Sequence, residues 1–70
     1  MNTELIGTWA GLVWTALSEA DMLGTKQIKK MTKLKEKEIC AALGWLAREG
    51  KVAFEESGDD KEILVRLVQG

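Results

Sequence analysis

Seventy residues suffice for one domain with one compact core, and a chain this short buries only roughly 60% of the surface that its unfolded form exposes. With 46% hydrophobic and 30% charged residues, the composition excludes a disordered tail. A formal net charge of −1 excludes a global attraction to nucleic acid or anionic membrane, so any such binding has to be local.

From Thr3 onward, Leu5, Ile6, Trp9, Val13, Ala16 and Leu17 recur at helical spacing. This predicts a first helix capped by Thr3, with Glu4 in its first turn, ending near Ala20. Gly24 interrupts the pattern. A short strand over Leu23 to Thr25 is expected there, and Thr25 is expected to cap a second helix from Lys26 to about Met31. That helix buries Ile28 and Met31 and turns Lys26, Lys29 and Lys30 outward. Thr32 to Lys35 reads as a tight connection. Ile39, Ala42, Leu43, Leu46 and Ala47 then mark a third amphipathic helix starting near Lys35, with Gly50 as its left-handed C-terminal cap.

Beyond Gly50, Val52 and Phe54 alternate with Ala53 and Glu55, and Ile63, Val65 and Leu67 alternate with Leu64 and Arg66, as in two half-buried strands. The turn formers Ser57, Gly58, Asp59 and Asp60 lie between them, so the strands are expected to close as an antiparallel hairpin. The resulting expectation is an α+β fold: a three-helix winged helix-turn-helix with a C-terminal two-stranded β-hairpin wing, forming a single domain over residues 1–70.

The run from Ala41 to Val52 resembles the third helix and wing entry of winged helix domains, where Leu-x-x-Leu-x-x-x-Gly-x-Val is common; here the frame is Leu43, Leu46, Gly50 and Val52. Its Ala-Leu-Gly-Trp-Leu-Ala-Arg-Glu-Gly-Lys core is similar to a family of small bacterial winged helix proteins of unassigned function, and the likeness covers nearly the whole chain. What this resemblance implies is a three-helix winged domain, with dimerisation and DNA binding as expectations drawn by analogy of fold.

Between Gly24 and Lys37, the six lysines Lys26, Lys29, Lys30, Lys33, Lys35 and Lys37 stand against one acid, Glu36. Such a cluster is the footprint of phosphate contacts, and a solvated lysine face that keeps the domain soluble is the alternative. In a helix-turn-helix the second motif helix enters the major groove by its N-terminal end while the first crosses the backbone. Lys35, Lys37, Glu38 and Ala41 would then face base edges, and Lys26, Lys29, Lys30 and Lys33 would lie nearer phosphates. Base readers are scarce, since the third helix offers no Arg, Asn or Gln before Arg48. The wing opposes a phosphate contact. From Glu55 to Glu62 it carries five acids against Lys61.

A protein partner or a second copy of the chain is the rival expectation. Trp14 falls outside the apolar stripe of the first helix, with Gly7, Gly11 and Ser18 near it, and a glycine inside a helix costs roughly 1 kcal/mol relative to alanine. Either another helix approaches closely there, or the helix is nearly enclosed by its own domain and the glycines accommodate the wing. Trp45, beside core Leu46, either anchors an interface or packs within the domain against Phe54.

No reaction is expected. The chain contains no histidine, and Glu55 and Glu56 point to opposite faces of a strand, so neither nucleophilic nor paired-carboxylate catalysis has its residues. Cys40 is the only cysteine, which rules out an internal disulfide or a cysteine zinc site and is expected to be a partly buried small hydrophobe. No cofactor or metal is expected. The N-terminus lacks a basic region, and Trp9 to Trp14 is too short for a signal core or membrane span, so the cytoplasm is the expected compartment.

Overall fold

The computed structural model of the protein describes residues 2–56, 58 and 62–68. Its elements follow the order α1 (Thr3–Ser18), β1 (Leu23–Gly24), α2 (Thr25–Thr32), α3 (Glu36–Arg48), β2 (Val52–Glu56) and β3 (Ile63–Leu67). Helix α1 starts one residue earlier than a Thr3 cap implies. The Asn2 side chain accepts from the Leu5 N–H at 2.8 Å, which places Thr3 inside the helix. At the other end, the Glu19 and Ala20 amides reach back three residues to Ala16 and Leu17, so the last turn tightens and α1 ends at Ser18 rather than near Ala20.

Gly24, not Thr25, is the N-cap of α2, and its amide donates to the Gln27 side chain at 3.0 Å. The α2–α3 connection turns on Lys33, whose φ of 63° is left-handed, while the Thr32 hydroxyl donates to the Ile28 carbonyl at 2.7 Å and accepts from the Leu34 amide at 3.3 Å. Helix α3 ends in a Schellman arrangement. Gly50, at φ 71°, donates to the Ala47 carbonyl, and the Lys51 amide donates to the Leu46 carbonyl.

The three strands form one antiparallel sheet in the order β1-β3-β2, so the expected short strand pairs with the far arm of the hairpin, Leu23 opposite Val65. Val52 faces Leu67 and Phe54 faces Val65, which puts those four on the side of the sheet that meets the helices. Helix α1 packs most extensively on α3, and the core joins Val13 and Leu17 of α1, Ile28 of α2, Ile39, Leu43 and Leu46 of α3, and Val65 of β3. Fully burying one such aliphatic side chain stabilises the fold by roughly 1.5–3 kcal/mol. Among the described residues no polar or charged side chain is buried.

Several residues expected in the core are exposed. Leu5 and Met31 lie on helix flanks, and Ala47 stands about 90° around α3 from the centre of its buried stripe. Phe54 and Ile63 alternate correctly, yet both are about half exposed: Phe54 lies on the edge strand β2, and Ile63 lines an open groove beside α2 and α3. Of the expected turn, only Gly58 is among the described residues, at a left-handed φ of 83°; Ser57, Asp59 and Asp60 lie outside them.

Candidate nucleic-acid and partner surfaces

At about 100° per residue, Lys26, Lys29 and Lys30 share a sector of about 100° on α2, turned away from buried Ile28. The left-handed turn at Lys33 carries the chain from that face into α3. Lys35 at the α3 N-cap and Lys37 in its first turn follow, and all six lysines are exposed. Lys26 and Lys29 also line a groove of about 490 Å³ between α2, α3 and the root of the wing, with Thr25, Glu36, Ile39, Cys40 and Ile63. Cys40 is exposed here rather than partly buried, because it stands about 100° around α3 from Ile39.

The base-facing end of α3 is more restricted than the sequence implies. Glu38 accepts from the Lys35 amide at 2.8 Å, so its carboxylate is engaged in holding the start of α3, and both Glu38 and Ala41 are only half exposed. Opposite the buried stripe of α3 stand Lys37, Gly44 and Arg48. That leaves a smooth surface bounded by two cations. On the wing, Glu55 pairs with Arg66 across the strands at 3.6 Å with both side chains exposed, a contact worth at most about 1 kcal/mol, and Glu56 is exposed beyond it.

Helix α1 is not enclosed by its own domain. Trp14 is 45% exposed, and among the described residues a Cβ placed on Gly7 or Gly11 meets no heavy atom within 4 Å, so no described part of the wing packs on these glycines. Leu12, which the apolar stripe does not include, is exposed on the flank opposite Trp14, two turns from Leu5. Trp45 is 38% exposed. It stands about 110° around α3 from the centre of the buried stripe, and nothing in the sequence signals the contact that brings the Glu62 side chain against Gly24. Among the described residues no cluster of acidic or sulfur ligands could hold a metal ion, and no helix is long and apolar enough to cross a membrane.

Three helices with a tight α2–α3 connection, followed by a hairpin whose far strand pairs with the residues ahead of α2, are the arrangement of a winged helix-turn-helix. The family model for the winged helix-turn-helix domain (DUF2582) matches residues 1–67. The chain belongs to this family. Among solved structures, the winged domain is similar to the solution NMR structure of protein BT2368 from Bacteroides thetaiotaomicron: 34% identity and a TM-score of 0.81, over 96% of this chain and 79% of that one. No curated protein is significantly similar to it.

Proposed function

We propose that this winged domain is a non-catalytic module of the cytoplasm that binds duplex DNA as a low-specificity, auxiliary contact, through Lys26, Lys29, Lys30, Lys33, Lys35 and Lys37. The observation that carries this reading is that all six lysines are exposed along one continuous stretch, α2, its turn and the start of α3. These are the elements by which a helix-turn-helix meets the backbone and the groove. Specificity is low because α3 presents Lys37, Gly44 and Arg48 outward and no bidentate amide. The wing stays off the DNA, since five acids stand against one lysine between Glu55 and Glu62, and Glu56 is exposed beyond the Glu55–Arg66 pair, so the wing repels phosphates.

The test is a titration of a short duplex at several salt concentrations, followed by amide shifts. Binding weakens as salt rises, with a log–log slope of about −0.9 for each phosphate neutralised, and the shifts concentrate in residues 26–37. A duplex that leaves those amides unmoved at low salt refutes the proposal.

A second reading is favoured by a separate observation, the half-exposed Trp14 beside bare Gly7 and Gly11, with Trp45 as a further exposed aromatic. Under it the module docks a protein or a second copy of itself through α1. Trp14→Ala then leaves the fold intact and shifts any dimer towards monomer in sedimentation; an unchanged profile removes this reading.

A further inference from the structure

Strand β2 is an edge of the sheet, since the order β1-β3-β2 gives it β3 as its one neighbouring strand among the described residues. The Val68 amide donates to the Lys51 carbonyl at 2.9 Å, which fixes the alternation of bonded pairs along β2 and β3. Lys51, Ala53 and Glu55 turn their backbone groups towards β3, so Val52, Phe54 and Glu56 turn theirs to the open edge. Among the described residues no hydrogen bond reaches those edge-facing groups. The side chains divide by face: Val52 and Phe54 lie on the side that meets the helices, whereas Lys51, Ala53 and Glu55 lie on the outer side.

An edge protected against pairing carries proline or charges that repel a second copy. This chain has no proline, and Lys51 and Glu55 stand two residues to either side of Ala53. An antiparallel copy related by a two-fold axis through Ala53 therefore sets Lys51 opposite Glu55 of its mate, and Glu55 opposite Lys51. The same operation sets Val52 opposite Phe54, and their edge-facing groups exchange both hydrogen bonds of a ladder pair. Ala53 meets its own copy at a closely spaced position, where its methyl group fits. The neighbouring registers are worse. Centring on Phe54 separates Lys51 from Glu55 and puts Glu56 opposite apolar Val52, and centring on Glu55 puts that carboxylate opposite itself.

We propose that β2 is the docking edge for a second copy of this chain, paired antiparallel about Ala53 so that two three-stranded sheets become one. Main-chain hydrogen bonds hold the copies, and the crossed Lys51 and Glu55 pairs set the register. On the helix side, the apolar row of Val65 and Phe54 continues into Val52 and Leu67 of the second copy, which covers the half-exposed Phe54 ring. On the outer side, Glu55 keeps Arg66 and gains Lys51 of the second copy. This edge lies apart from Trp14, Gly7 and Gly11 and from the lysines of residues 26–37, so the inference needs neither the duplex reading nor docking through α1.

The test uses Lys51→Glu and Glu55→Lys, each in the full chain. Both sites are exposed, and the second change gives up only the exposed contact with Arg66. Either variant alone sets like charges opposite each other at both crossed positions, and its dimer is weaker than that of the wild type on the order of tenfold in sedimentation equilibrium. Mixed in equal amounts, the two variants restore both pairs and associate with each other as tightly as the wild type does with itself. In the wild type, the Val52 and Phe54 amides gain protection from hydrogen exchange as the concentration rises. A mixture that associates no better than its components overturns the proposal. So does a wild type that stays monomeric at NMR concentrations, or a dimer that Trp14→Ala disperses and neither charge change affects. Should a variant fail to fold, exchange in the wild type decides: protection at Val52 and Phe54 that grows with concentration upholds the edge pairing, and unchanged protection overturns it.

Discussion

Replacing Gly7 and Gly11 with alanine should raise the stability of the isolated domain. Both lie within α1, and a Cβ at either position meets no heavy atom of the described residues within 4 Å, so no collision among them offsets the gain in helix propensity. Glycine in a helix interior costs about 1 kcal/mol relative to alanine, which makes the double variant more stable by about 2 kcal/mol. For a domain of this size, 1 kcal/mol moves Tm by roughly 4–8 °C, so a rise on the order of 8–16 °C is expected. Thermal unfolding followed by circular dichroism, at concentrations dilute enough to keep the chain monomeric, measures it. Gly44→Ala, also helical and also without a neighbour within 4 Å among the described residues, should add about 1 kcal/mol on its own and serves as the comparison. If α1 is a docking face, the methyl groups on Gly7 and Gly11 weaken association while the monomer grows more stable, and Gly44→Ala leaves association unchanged. A Tm that stays level or falls in the monomeric double variant refutes the argument, because it means those glycines meet their own domain.

Other perturbations separate stability from binding. Lys33 holds a left-handed φ of 63°, which costs a side-chain-bearing residue roughly 1–2 kcal/mol, so Lys33→Gly should raise stability by up to about 1 kcal/mol after glycine's larger unfolded-state entropy is set against it. The same change should loosen duplex binding, and denaturant titration beside a duplex titration would show the opposite signs. Leu17 is fully buried, so Leu17→Ala should cost about 2–5 kcal/mol, a large fraction of the stability of so small a domain, and flatten the cooperative melt. Asn2→Ala removes the acceptor for the Leu5 amide and should cost about 1 kcal/mol; an unchanged urea midpoint would mean that another group caps α1.

Two of the surfaces are legible in the amino-acid sequence alone. The lysine run from Lys26 to Lys37 is contiguous in the chain, and lysine side chains are almost never buried, so its exposure follows from composition. Trp14 stands off the apolar stripe by helical arithmetic alone, and it is exposed. For Phe54 and Ile63 the alternation gives the correct face of the hairpin but not the depth. Periodicity gives the face that a side chain takes, whereas its depth depends on which strand lies at the sheet edge and how closely the helices close over it. Glu38 shows the same limit at a polar residue: its spacing from Lys35 is that of a capping box, and only the observed bond shows that its carboxylate serves the helix start rather than a base edge.

What the amino-acid order determined by itself is the local part of this protein: three helices, the glycine stop at Gly50, the hairpin and the separation of basic motif from acidic wing. Each depends on residues within a few positions of one another, where backbone geometry and solvation act directly. Tertiary structure alone decided that β1 joins the sheet beside β3 rather than β2, and that Glu62 comes to rest on Gly24. Those contacts join segments far apart in the chain, and they exist because packing α1 on α3 and threading Val65 into the core bring their backbones together.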